Sequence, residues 1–343
     1  MLIPHKAGAR PNGGGCDGTA AKLPPLKVIV GSTPRMAVIF EHIKKLASAH
    51  IPVLLTGESG TGKELIATLI HCYSPIPSRP LVQINCAALP ATMIESELFG
   101  YEAGAFTGAS VSKCGRVELA GTGTLFLDEI TELDLSLQAK LLQLLQDGQF
   151  TALGGREERH VDSRFIFATN RDLQQEIRAG NFRADLFYRM DGVTLHLPPL
   201  RERVEDVPVL VEYFLEKYNG IYNCRAESPS NSTIEQLQAY HWPGNIRQLE
   251  NVIRRYVVLG SQETMIADLT NVETDVFQFA IPQNGKISLK EITRRAVRQV
   301  ERQVIFKVME ANGWKRKKSA RTLNISYRAL LYKLTDMGIP PQQ

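Results

Sequence analysis

Disulfide and zinc frameworks are missing from this sequence. Its five cysteines, Cys16, Cys72, Cys86, Cys114 and Cys224, include no CxxC pair, and no histidine partners them at metal-ligand spacing. That usage suits reduced thiols of a cytosolic chain rather than a secreted scaffold. No apolar run approaches the roughly 20 residues that span a bilayer, and the N-terminus lacks the continuous apolar core of a signal peptide. A cytoplasmic protein with no membrane partner is therefore expected. A large excess of one sign of charge is missing too, with 40 Lys and Arg against 36 Asp and Glu. The net charge of +4 is too small to identify a nucleic-acid binder, so the placement of charge carries the information. At 343 residues, 43% hydrophobic and 22% charged, the chain has room for about two or three ordinary domains. Function has to be read from local motifs.

The densest motif is PVLLTGESGTGKELI, residues 52–66. Val53 to Thr56 read as a buried strand, the glycines Gly57, Gly60 and Gly62 crowd one turn, and Lys63 opens a helical run. Strand, glycine loop and helix in that order let backbone N–H groups surround a phosphate chain, with the lysine ammonium reaching its far end. Glu58, Ser59 and Thr61 complete the loop. Glu64 stands where a Ser or Thr would ordinarily ligate magnesium, so a glycine turn capping a core helix stays open as the plain alternative.

Residues 1–27, with Gly13 to Gly15 and scattered prolines, read as a flexible tail. Met36, Ile39, Phe40, Ile43 and Leu46 recur at helical spacing after Ser32, Thr33 and Pro34, and Pro75 and Pro77 stop the helix that Lys63 begins. Further strands are predicted at Leu81–Asn85, Gly123–Asp128, Arg164–Thr169 and Val193–Leu197. Helices between them include one with Leu137, Leu141, Leu144 and Leu145 on a face, ending at Gly148. Alternating strands and helices predict an α/β fold with a parallel sheet covered on both faces and ligands beyond its carboxyl ends. Asn85, Asp128, Glu129, Thr169 and Asn170 all fall at such ends. Asp128 can hold Mg²⁺, directly or through water, and Glu129 can polarise a water for attack on a terminal phosphate.

Between the loop and these acids lies ELFGYEAGAFTGA, residues 97–109, whose Phe106 sits in a glycine-rich turn with no evident partner strand. An exposed aromatic tip that contacts a partner and a buried anchor are both open on residues alone. Here the sequence resembles the sigma-54-dependent transcriptional activators, bacterial enhancer-binding proteins of the AAA+ class. Their GAFTGA loop is Gly104, Ala105, Phe106, Thr107, Gly108 and Ala109 in this chain, and Glu64 is ordinary within that family. The resemblance runs from about Val30 to the C-terminus.

It implies an AAA+ P-loop core over residues 28–199, a helical lid over 200–260, a linker over 261–287 and an all-α helix-turn-helix domain over 288–343. It also implies that Lys63 binds ATP phosphates, Asp128 organises Mg²⁺ and Glu129 activates water. Asn85 would restrain Glu129, Thr169 and Asn170 would sense the γ-phosphate, and Arg247 would be a second sensor. Arg183 and Arg189 would be arginine fingers that reach a neighbouring subunit's nucleotide, although a surface ion pair is the plain reading of any of the three arginines. A finger acting in trans needs a head-to-tail interface, which closes into a ring or runs on as a filament. The family implies a hexamer.

The C-terminal stretch contains the amphipathic pattern Ile292, Ala296, Val300, Val304, Ile305 and Val308, a break at Asn312 and Gly313, and a basic helix from Lys315 to Leu323. After Asn324–Ser326 another helix begins at Tyr327. Helix, short turn, helix is a DNA-binding arrangement, with Ser326 as N-cap, and it resembles the Fis-type ending of the family. Tyr327 and Arg328 are candidates for base readout. Lys315, Arg316, Lys317, Lys318 and Lys333 are candidates for phosphate contact, and the preceding long helix for dimerisation. The expected function is ATP-driven remodelling of sigma-54 RNA polymerase closed complexes by an activator bound to enhancer-like double-stranded DNA. The alternatives are a DNA-binding regulator whose ATPase core only assembles oligomers and a protein remodeller unrelated to transcription. Only a tail precedes Val28, so control is expected in trans, through a regulatory protein on the core or through expression, unless the chain is a fragment.

Overall fold

The computed structural model describes residues 23–260, 265, 305, 309, 315–323 and 325–336. They belong to two units divided between Leu269 and Thr270. The first opens with helix α1 (Leu26–Val30), which starts inside the stretch expected to be tail because Ile29 is buried against the core. Helix α2 (Pro34–Ala47) has Thr33 at its N-cap and proline in its first turn, and it buries the five apolar residues whose spacing predicted it.

Nine strands occur among the described residues: β1 (Val53–Thr56), β2 (Leu81–Asn85), β3 (Gly100–Tyr101), β4 (Lys113–Cys114), β5 (Thr124–Asp128), β6 (Gln149–Thr151), β7 (Glu158–His160), β8 (Arg164–Thr169) and β9 (Val193–His196). Five form one parallel sheet in the order β2-β5-β8-β1-β9, while β3-β4 and β6-β7 are separate antiparallel ladders. The central strands read as unbroken apolar runs because successive side chains are buried on opposite faces. Leu54, Leu125, Leu127 and Phe167 enter one core, and Val53, Leu55, Phe126 and Ile166 enter the other. Helix α2 and helix α3 (Lys63–Cys72) cover the second face. Helices α4 (Ala91–Phe99), α5 (Arg116–Ala120), α6 (Leu135–Asp147), α7 (Leu173–Arg178) and α8 (Ala184–Met190) supply residues to the first.

Three further helices follow, α9 (Val207–Tyr222), α10 (Asn231–Ala239) and α11 (Asn245–Leu259), around a third core. At its centre Trp242 is fully buried, and its indole N–H donates to the Leu237 carbonyl at 2.7 Å. In the second unit, Arg316–Thr322 and Tyr327–Asp336 are helical, and Ala320, Leu330 and Leu334 cluster with Ile305 and Met309. The expected linker over 261–287, apart from Met265, lies outside the described residues. So do the long amphipathic helix, apart from Ile305, its break at Asn312 and Gly313, and Asn324. No described helix is long and apolar enough to cross a membrane.

Candidate active site

The carboxyl ends of β1, β2, β5 and β8 carry Thr56, Asn85, Asp128 and Thr169, and the parallel register sets Asn85 beside Asp128 and Thr56 beside Thr169. The glycine loop leaves β1 at this edge. Gly57, Gly60 and Gly62 all have positive φ. At Gly60 the demand is also steric, since a Cβ would lie 2.4 Å from the Gly244 carbonyl oxygen. Lys63 is buried, and its ammonium donates into the loop, to the carbonyls of Gly57 at 2.8 Å and Glu58 at 3.2 Å. Burial lowers its pKa, and Glu129 and Asp128 act in the opposite direction. Thr61 donates to the Glu58 carbonyl at 2.8 Å, while Glu64 is exposed in the first turn of α3.

Asp128 and Glu129 divide at the end of β5. The Asp128 Oδ1 accepts from the Glu129 backbone N–H at 3.1 Å. Glu129 has left-handed backbone, φ 53°, which turns its side chain away from the strand direction. Its Oε2 accepts from the backbone N–H of Asn170 at 3.2 Å. Burial raises its pKa, opposed first by Lys63. The hydrogen bonds of Asn85 run to groups other than Glu129. Its Nδ2 faces Asp128 Oδ2 at 3.5 Å, as the β2-β5 register dictates, and its Oδ1 caps the next turn by accepting from Ala87 and Ala88. Thr169 is fully buried with its hydroxyl against that of Thr131 at 3.2 Å, which leaves Asn170 as the exposed member of that pair.

A magnesium ion fits this donor set. No group of three or more His, Cys, Asp or Glu able to hold a metal occurs among the described residues. Mg²⁺ usually takes one or two carboxylates and completes its shell with phosphate oxygens and water. Asp128 and Glu129, the carboxylates that act on the Lys63 ammonium, would be the ones to serve it.

The segment after β9 grips the loop from outside, and sequence reasoning missed most of that grip. Arg201 donates to both carboxylate oxygens of Glu58, at 2.8 and 2.5 Å. Asn245, also left-handed at φ 51°, donates from Nδ2 to Glu58 at 3.1 Å and to the Ser59 carbonyl at 3.0 Å. Arg203 donates to the Thr61 carbonyl at 2.9 Å, and Arg247 to the Ser59 hydroxyl at 3.1 Å. Of these four, only Arg247 was singled out from the sequence. The others have no local signature, since their partners lie at least 142 residues away. Arg183 and Arg189 do not join this cluster within the chain. Arg183 pairs with Asp185 at 2.7 Å, and Arg189 donates to the Leu145 carbonyl at 3.1 Å.

The 104–109 loop has a partner strand after all, because β3 and β4 pair at its base. Gly104 N–H donates to the Ala109 carbonyl at 2.8 Å, and Ala109 is buried beneath the turn. Phe106 is 47% exposed, its ring edge-on to Tyr101 at 5.0 Å, and Thr107 and Gly108 are exposed beside it. The β6-β7 hairpin, which was not anticipated, braces this base. Glu102 N–H donates to the Leu153 carbonyl at 3.0 Å, and Arg159 pairs with Glu102 and Glu118, each at 2.5 Å. Gly154 approaches so closely that a Cβ would lie 2.8 Å from that of Ala105. In the second unit Lys315, Lys317, Lys318, Ser326 and Tyr327 are exposed, while Arg316 and Lys333 are half-buried. The side chain of Arg328 lies outside the described residues.

Comparison with known proteins finds the same fold and the same order of domains. Residues 29–196 match the Sigma-54 interaction domain, 201–278 the AAA+ ATPase lid domain, and 296–337 the bacterial regulatory protein, Fis family. The chain is 43% identical over 318 residues to regulatory protein AtoC of Escherichia coli (strain K12), covering 91% of this chain and 68% of AtoC. It is 42% identical over 315 residues to the Nif-specific regulatory protein of Azotobacter vinelandii, covering 91% of this chain and 59% of that relative. Among solved structures, NtrX from Brucella abortus superposes with a TM-score of 0.69 at 32% identity, covering 91% of this chain and 70% of NtrX. NtrX has also been solved in complex with ADP and with ATP. The fold and site define an AAA+ P-loop protein with a lid and a helix-turn-helix module. The chain belongs to the family of sigma-54-dependent transcriptional activators.

Proposed function

We propose that this chain hydrolyses ATP to remodel sigma-54 RNA polymerase from closed to open promoter complexes while bound to enhancer-like DNA. The observation that carries this reading is the pairing, in one unit, of a phosphate loop facing two strand-end carboxylates with an exposed aromatic loop held on a braced stalk.

Lys63 would exchange its loop carbonyls for phosphate oxygens, and Arg247 would approach them from the lid side. Asp128 would hold Mg²⁺, which when bound supplies charge neutralisation at the phosphates. Glu129, its carboxyl made more basic by burial, would take the proton of the attacking water. Asn170 would report the terminal phosphate through its N–H on Glu129. Arg183 and Arg189, committed to acceptors of their own chain here, would be drawn to a neighbour's nucleotide in a head-to-tail ring, hexameric by family. Such an arginine contributes about 10³–10⁵ in rate, so an isolated subunit turns over slowly. Phe106 and Thr107 would meet sigma-54, and the basic helix pair of the second unit would meet DNA, which puts the activity in the cytoplasm.

Lys63→Ala tests the site. Loss of ATP turnover with the fold intact supports it, and unchanged turnover rules it out.

A further inference from the structure

The second position of the phosphate loop is occupied by an acid. Glu58 lies one residue after Gly57 and five before Lys63, in the turn whose backbone is shaped to receive anions. A carboxylate there repels the ligand that the loop is built for, and the repulsion is strong where the surroundings are partly desolvated. The structure supplies a compensation. The Arg201 guanidinium meets both oxygens of Glu58 in a bidentate pair at 2.8 and 2.5 Å, and Asn245 adds a third donor at 3.1 Å. Arg201 holds the Glu58 carboxyl down at about 2, so the pair is ionised on both sides at neutral pH. Arg201 opens the segment that matches the lid, and Arg203, Asn245 and Ile246 from the same side hold the Thr61, Ser59 and Gly60 carbonyls.

We propose that Arg201 is a positioning residue for nucleotide binding, acting by neutralising Glu58 so that the phosphate chain can enter beside it. This rests on the reading of the loop as an ATP site and adds a residue that touches no phosphate. If the pair were merely a tether, removing both partners would do at least as much harm as removing one. If it is a charge shield, removing the acid repairs the loss of the base.

The test is calorimetric titration of the full chain with ATP and with ADP, with apo unfolding midpoints as folding controls. Arg201→Met is expected to weaken ATP binding about tenfold and ADP binding less, because ATP carries more charge into the same field. Adding Glu58→Gln to that variant restores ATP affinity to within about threefold of the unsubstituted protein. A double variant no better than Arg201→Met, or an Arg201→Met protein that binds ATP normally, overturns the proposal. Should Arg201→Met not fold, Glu58→Gln alone decides. With Arg201 left unopposed, ATP binding tightens about threefold, and weaker binding overturns the proposal. Lys63→Ala in the same titration separates the two readings: normal ATP binding there would remove the phosphate site itself, whatever Arg201 does.

Discussion

The backbone N–H of Asn170 donates to Glu129 Oε2 at 3.2 Å, tying the end of β8 to the residue that follows β5. Two strands that are neighbours in the sheet are thereby joined at the carboxylate proposed to activate water. Glu129→Gln keeps an acceptor for that N–H and removes the base. ATP binding should persist while turnover falls by about 10²–10⁴, as expected for loss of a general base. Steady-state ATPase assays with a parallel binding titration check this, and equal losses in binding and turnover would argue against the role.

The same group sets a pH dependence. Burial raises the Glu129 pKa, Lys63 opposes that rise, and Asp128 and Glu132 reinforce it. The base works ionised, so turnover falls as pH drops through this raised pKa. The acid limb of the rate profile should lie above the ordinary glutamate value of about 4.3. Glu132→Gln removes one nearby negative charge and should move the limb to lower pH.

Arg159 braces the stalk of the exposed loop through Glu102 and Glu118. Arg159→Met should leave ATP turnover within about twofold, since the ion pairs are partly exposed and none touches the loop at Gly57–Lys63. Amide exchange at Gly104 to Ala109 should accelerate, and promoter opening should fall. Hydrogen-exchange mass spectrometry reads the first effect and an open-complex assay the second.

Trp242 fills the centre of the three-helix core and spends its indole N–H on the Leu237 carbonyl. Trp242→Ala should cost about 3–5 kcal/mol of stability. It should also loosen the turn that presents Asn245 and Arg247 to the phosphate loop, so denaturation midpoint and nucleotide affinity should fall together.

For the second unit, a DNA footprint that neutralises about six phosphates gives a log–log salt slope of roughly −5. Lys317→Ala, at an exposed position, should reduce the slope by about 1 and weaken all sequences alike. An unchanged slope would exclude Lys317 from the backbone contact.

The central strands of the large sheet are legible because burial on both faces writes them as continuous apolar runs, and the edge strand Leu81–Asn85 is legible from its apolar residues despite partial exposure. Val53–Thr56, Leu81–Asn85 and Arg164–Thr169 run between the residues expected. The β3-β4 and β6-β7 ladders were not legible, since each is two or three residues long and depends on pairing rather than pattern. Asn85 lies at a strand end as its position in the sequence predicts, and its side chain is turned to Asp128 rather than to Glu129. Register sets it beside Asp128, and the left-handed turn at Glu129 carries that carboxylate elsewhere. The grip of Arg201, Arg203 and Asn245 on the phosphate loop emerges only once the chain has folded back on itself, so nothing near those residues announces it.

Coupling between nucleotide turnover and the aromatic loop is the central claim, and one variant tests it most directly. Thr107 is exposed beside Phe106 and remote in sequence from the phosphate loop, so Thr107→Ala should leave ATP turnover near that of the unsubstituted protein. Open-complex formation at a sigma-54 promoter, measured alongside that turnover, should be lost. Promoter opening that continues undiminished in Thr107→Ala would contradict the coupling.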